Sequence, residues 1–344
     1  MPPSVMTASV YVGDGHLVVE ERPVPEIGPG DVLIEVAACG ICGTDLHLVL
    51  EGFAKPGSVL GHEWSGTVVA AAPDVTDWAP GARVVAGPTP GCGRCRACRR
   101  GRPSVCLERD PPDYTSWRGA FARYVTASAS SLLAVPEGLS TRHAALTEPT
   151  AIAQHAVHLS GVEPDDRVLI TGGGPVGLLT LAVLAAEGVR DVTVSEPSAL
   201  RRERARALGA VRTLSPDELG HAPMGRPVDE PFAVAFECSG RASAAESALD
   251  HLDYAGTLVL AGTGGTPPRM NQNRMIILEL SVIGTYNYDA EGFAPALDLL
   301  AGGSLPLDLL VEPDDVGLQA LPLALERLAK GEIAAKVLVS PHVP

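Results

Sequence analysis

"RVLITGGGPVGLLTLAVLAAEG", residues 167–188, is the stretch that decides the fold class. Its first residues form a short apolar run of the kind buried on both faces of a sheet. A glycine-rich break follows, and from Pro175 the pattern reads as a helix. Residues 168–189 are apolar over a length that would suit a membrane span. However, they hold five glycines, a proline and Glu187, and so divide into strand, turn and helix.

The same alternation continues downstream. "DVTVSE" reads as a strand, "SALRRERARALGA" as a helix ending at Gly209, and "FAVAFECSG" and "GTLVLAGT" as further strands. Strand–helix alternation of this kind predicts a parallel sheet with helices on both faces. Upstream the texture differs. "VLIEVAACG", "WSGTVVAAA", "ARVVAG" and "GAFARYVTA" are β-rich segments bounded by Gly and Pro. They predict an antiparallel, partly barrel-like unit over the first ~140 residues. The chain closes with helices near "GFAPALDLLAGG" and "LQALPLALERLAKG" and a last strand in "AKVLVSP", while "APMGRPVDEP" reads as a surface loop.

Composition limits the function classes. The 344 residues suffice for two cored domains, with 46% hydrophobic and 19% charged residues. The formal net charge of -15 disfavours phosphate backbones and anionic membranes as partners. "MPPSVMTASV" lacks the basic start and apolar core of a signal peptide. A cytoplasmic location is therefore expected. Seven cysteines, an odd and clustered set, argue for metal rather than disulfides.

Gly172, Gly174 and Gly177 stand at GxGxxG spacing, with Pro175 and Val176 between the last two. After a strand and before a helix, this is a dinucleotide site. The first glycine permits the turn, the second admits a pyrophosphate, and the third lets helix and strand close. Helix-end N–H groups then face the phosphates. Glu196, nineteen residues after Gly177, suits a ribose hydroxyl and repels a 2′-phosphate, so NAD is favoured over NADP. Arg201 and Arg202 follow closely, and an arginine there accepts a 2′-phosphate. Cys238 is expected to be buried beside the adenine pocket and not to act as a nucleophile.

"CGRCRACRRGRPSVC" supplies Cys92, Cys95, Cys98 and Cys106. Four thiolates close a tetrahedral zinc shell, so this site is structural. The intervening arginines are expected to be solvated charges around it. A catalytic zinc needs about three protein ligands and one open position. Cys42 in "CGICGTDLH" offers a thiolate, "GHEWSG" offers His62 followed by Glu63, and "LTEPTAIAQHA" offers Glu148 next to the nucleotide-binding unit. A metal there would lie in the cleft where a nicotinamide arrives.

These pieces, with "GAFARYV", "GGGPVG", "SEPSALRRERARALGA" and "FECSG", run in one order over nearly the whole chain. In that order they resemble the zinc-containing medium-chain alcohol dehydrogenases, within them the sorbitol, threonine and butanediol dehydrogenase branch. The resemblance implies an α/β protein: a GroES-like β-rich catalytic domain at 1–151 and 289–344, with a zinc lobe at about 88–110. A Rossmann doubly wound coenzyme domain would take 152–288. It implies one catalytic zinc on Cys42, His62 and Glu148, with Glu63 as an alternating or water-mediated ligand, and one structural zinc. In liver-type relatives the Glu148 position is cysteine. Thr44 would take the alcohol proton, and His47 would pass it through the cofactor ribose to solvent. Asp45 would orient His62.

The expected reaction is reversible oxidation of a secondary alcohol or polyol to a ketone with NAD. The alternatives are an L-threonine-type amino-alcohol dehydrogenase and an NADP-preferring enzyme. Phe53, Trp117 and "YNY" at 286–288 are candidate pocket walls. Cys39 is expected to pack, and His155 and His158 to be ordinary helix residues. "LELSVIGTY" is a candidate strand-to-strand contact in a homodimer or homotetramer.

Overall fold

The computed structural model describes residues 3–87, 91–108, 118–223, 225–289 and 292–343. Its centre is a six-stranded parallel sheet. The strands lie in the order Arg212–Leu214, Asp191–Ser195, Arg167–Thr171, Phe232–Glu237, Leu252–Leu260 and Ser281–Gly284. Chain order reverses between Arg167–Thr171 and Phe232–Glu237, which makes that crevice the topological switch point of a doubly wound sheet. Val168, Leu169 and Ile170 are all buried, as a central parallel strand between helical layers requires.

The glycine turn meets its steric purpose. Gly172 has φ +101°, in the left-handed region that favours glycine, and its N–H donates to the Ser195 carbonyl at 2.9 Å. A Cβ on Gly177 would collide with the Gly172 carbonyl oxygen, so only glycine lets helix Pro175–Ala186 approach the strand so closely.

A second six-stranded sheet is antiparallel. Asp31–Gly40, Glu63–Ala71, Arg83–Ala86 and Leu132–Ala134 run side by side, and Tyr124–Ser128 pairs with Asp31–Gly40. Regular pairing in "GAFARYVTA" thus begins at Tyr124. The residues before it make isolated bridges, Ala8 to Ala122 and Val59 to Arg118. The end of the chain returns here: strand Leu338–Val339 pairs antiparallel with Gly40 and Cys39.

Helix Thr147–Ser160 connects the two sheets. Ala153, Ala156 and Val157 are buried in the same cluster as Leu178, Leu181 and Val183 of helix Pro175–Ala186. Small residues on this face let the two helices approach. Gly161 ends the first of them in a left-handed conformation, φ +67°, the usual glycine stop. Among the described residues no helix is long and apolar enough to cross a membrane.

Candidate active site

The stretch "CGICGTDLH" leaves its strand at Gly40 and starts helix Gly43–Leu50. Cys42 caps this helix. Its N–H donates to Asp45 Oδ2 at 2.9 Å, which holds the thiol at the helix N-terminus. Sγ stands 3.7 Å from Thr44 Oγ1. The donor atoms of Cys42, His62 and Glu63 lie within 4.8 Å of one another. Glu148, in the first turn of helix Thr147–Ser160, lines the same cleft outside that trio.

Electrostatics bind these groups together. Burial alone would lower the His62 imidazole, but the Cys42 thiol, Asp45 and Glu148 raise it well above its ordinary value. Burial raises the Glu148 carboxyl to about 7, with His62 opposing. Asp45 is fully buried, and its Oδ1 has no hydrogen-bond partner among the described residues. That oxygen faces His62 Nδ1 at 3.9 Å, longer than a hydrogen bond but directed as a carboxylate that orients a ligand imidazole would be. A thiol, an imidazole and two carboxylates around such an orphaned oxygen fit a catalytic zinc.

Sequence reasoning missed Lys336. Its Nζ lies 2.7 and 2.8 Å from the two Glu63 oxygens and donates to the Ile41 carbonyl at 3.0 Å. Both side chains of the pair are 1% exposed. A side chain on Gly40 would run into this pair. The only signal in the sequence is a single lysine inside the apolar run "IAAKVLV", and its partner lies 273 residues away.

The four-cysteine lobe is assembled too. The sulfurs of Cys92, Cys95, Cys98 and Cys106 lie within 4.8 Å of one another. Backbone N–H groups point at them: Cys95 N to Cys92 Sγ at 3.3 Å, Cys98 N to Cys95 Sγ at 3.4 Å, and Cys92 N to Cys106 Sγ at 3.4 Å. The N–H groups of Cys98 and Leu107 lower the Cys95 thiol to about 6. Preorganised thiolate donors of this kind fit zinc. Asp289 ties the lobe to the rest of the chain, accepting from Arg102 Nε and Ser104 N, both at 2.7 Å.

Cys42, His62, Glu63, Glu148 and the glycine turn border one cleft of about 2110 Å³. Gly172, Gly174, Pro175, Val176, Glu196, Arg201 and Cys238 line its far side. The Glu196 carboxylate accepts from Gly173 N at 2.7 Å and Ser198 N at 2.9 Å. Arg201 donates to the carbonyls of Ile333 and Leu328, both at 2.9 Å. Arg202 donates to the carbonyls of Glu196 and Pro197. The Cys238 thiol is pushed up to about 12 by burial and by Glu237, which makes it a poor nucleophile.

Tyr286, Asn287 and Tyr288 line the cleft, but Phe53 does not: it is exposed at the surface. Phe53 follows the end of the first helix, and the turn there carries it outward. Trp117 lies outside the described residues. His155 is buried and His158 exposed, so the two do not converge on a site. Cys39 is fully buried in its strand, paired across to Trp64.

Residues 28–137 match the alcohol dehydrogenase GroES-like domain, and residues 175–302 match the zinc-binding dehydrogenase domain. The sorbitol dehydrogenase of Bacillus subtilis (strain 168) is 32% identical, over 99% of this chain and 98% of its own length. The chain belongs to the zinc-binding medium-chain alcohol dehydrogenases. The L-threonine 3-dehydrogenase of Pyrococcus abyssi is 35% identical over 93% of this chain and 94% of its own. A zinc-binding dehydrogenase from Sinorhizobium meliloti 1021, solved bound to NADP, superposes with a TM-score of 0.86. It is 33% identical and covers 98% of this chain and all of its own. Membership brings with it zinc, a nicotinamide cofactor and an alcohol or polyol substrate.

Proposed function

We infer that this enzyme oxidises a secondary alcohol or polyol to the ketone, reversibly, with NAD as hydride acceptor. One observation carries the reading: Cys42, His62 and Glu148 border the same cleft as the glycine turn. In this reading residues 1–151 and 289–344 form the catalytic domain and 152–288 the coenzyme domain. Cys42, His62 and Glu148 hold a catalytic zinc. Glu63, paired with Lys336, stands beside it as an alternating ligand, and the four-cysteine lobe holds a second, structural zinc.

A zinc held there would supply Lewis acidity that lowers the pKa of the substrate alcohol, and a nicotinamide in the cleft would supply the hydride acceptor. The chain's own residues handle the proton. Thr44 Oγ1, next to Cys42 Sγ, takes it from the alcohol, and His47 carries it toward solvent. Asp45 keeps His62 in register. Glu196 favours NAD by repelling a 2′-phosphate, and the carbonyl partners of Arg201 and Arg202 leave those arginines committed elsewhere.

We place the enzyme in the cytoplasm as a homo-oligomer. Strand Ser281–Gly284 is the last of its sheet, and Tyr254, Ile276 and Ile277 are exposed, which suits edge-to-edge pairing between copies. The test is metal content per chain together with reduction of NAD and NADP over diols, polyols and L-threonine. Two zincs and NAD-linked turnover of diols or polyols are expected. Turnover confined to L-threonine would assign the amino-alcohol reaction instead, and a preference for NADP would overturn the role given to Glu196.

A further inference from the structure

Helix Gly43–Leu50 carries a third group aligned with Thr44 and His47. Glu51, its C-cap, accepts a hydrogen bond at Oε1 from His47 Nδ1 at 2.7 Å. Thr44, His47 and Glu51 follow at spacings of three and four, so they share one helix face. All three line the cleft. On the other side of the ring, His47 Nε2 stands 3.1 Å from the Thr263 carbonyl, in the coenzyme half of the cleft.

Both ring nitrogens therefore face oxygens that only accept. Nδ1–H donates to Glu51, and a proton arriving at Nε2 meets the Thr263 carbonyl as its acceptor. Among the described residues, Glu51 is the one charged side chain within ion-pair distance of the His47 ring. The Thr263 carbonyl is the polar group that meets it from the opposite wall.

We propose that Glu51 is the positioning residue of the proton relay, completing a Thr44–His47–Glu51 line along one helix. Its carboxylate keeps a proton on Nδ1 and leaves the Nε2 lone pair aimed into the cleft. When Nε2 takes the alcohol proton, the new N–H bond makes an imidazolium, which the carboxylate stabilises. The imidazolium then releases one proton to water and regains its neutral form. The logic is that of a carboxylate behind a catalytic histidine, here with the carboxylate 45% exposed and its effect accordingly reduced by solvent.

The inference rests on the relay reading above. Its test compares wild type with Glu51→Gln and Glu51→Ala in two ways. In the first, ¹⁵N spectra of the histidine rings at fixed pH report the His47 tautomer in the purified protein. Wild type is expected to show the Nδ1–H form, and Glu51→Ala a mixture. In the second, kcat for alcohol oxidation is expected to fall about tenfold in both variants, with a larger solvent isotope effect. Formate should restore part of the Glu51→Ala loss, while KM for the cofactor stays within about twofold. Identical His47 spectra in all three proteins would overturn the proposal. A loss of kcat that formate does not restore, with an unmoved isotope effect, would also overturn it, leaving Glu51 as a helix cap. A wild type that oxidises no alcohol would sink the functional reading instead, and the spectra would still decide the Glu51 contact.

Discussion

Lys336 Nζ and Glu63 Oε2 stand 2.7 Å apart, each on a side chain 1% exposed, beside Cys42 and His62. Neither charge has water to fall back on. Breaking such a pair leaves an uncompensated charge in the interior, which costs about 3–5 kcal/mol. Lys336→Met should lower stability by about that amount in denaturant titration, since Glu63 is left alone. Adding Glu63→Gln should recover part of the loss. A Lys336→Met protein as stable as wild type would show that the pair contributes nothing.

Glu148 sets a pH dependence in the metal-free protein. Its carboxyl is raised from 4.5 to about 7, chiefly by burial. A raised group binds its proton more tightly when folded. Its stabilising contribution is therefore complete below the unfolded value and lost as pH rises through the folded one. After chelation, stability should fall between pH 4.5 and about 7, and Glu148→Gln should flatten that slope. Zinc uptake should show the opposite trend, strengthening as pH rises, because its ligands must shed protons. Melting curves at several pH values, with and without zinc, check both. Equal slopes for wild type and Glu148→Gln would remove Glu148 from the account.

The lobe should respond to its anchor. Asp289→Ala removes the acceptor of Arg102 Nε and Ser104 N. The lobe metal should then be lost to a chelator faster than in wild type, by about tenfold, if the anchor is worth about 1.4 kcal/mol. Timed metal release with a chromogenic chelator measures it. Cys98→Ser should reduce bound zinc by one per chain. An unchanged zinc content there would mean that the four sulfurs do not form a site.

Glu196→Ala should relax the choice of cofactor. It removes the acceptor of Gly173 N and Ser198 N as well as the charge that repels a 2′-phosphate. KM for NAD should rise and the NAD/NADP ratio of kcat/KM should fall by about tenfold or more. An unchanged ratio would place the discrimination on another residue.

Local rules made much of this protein legible from its residues. The strand, glycine turn and helix at 167–188 are dictated by neighbours in the chain, since steric limits at Gly172 and Gly177 act within a few residues. The four-cysteine lobe follows in the same way, because its donors fall within fifteen residues, Cys92 to Cys106, and short spacing leaves few ways to arrange them. Long-range pairing is different. Nothing near Lys336 names Glu63 as its partner, and nothing near Asp289 points to Arg102 and Ser104. His47 reaches Thr263 only because the two sheets bring those segments face to face. Chemical identity and local turns were written in the order of the residues. Which buried charge is paired, which wall each aromatic residue joins, and where Glu51 stands relative to the cleft were decided by packing, because a buried charge is stable only where the folded chain brings it a partner.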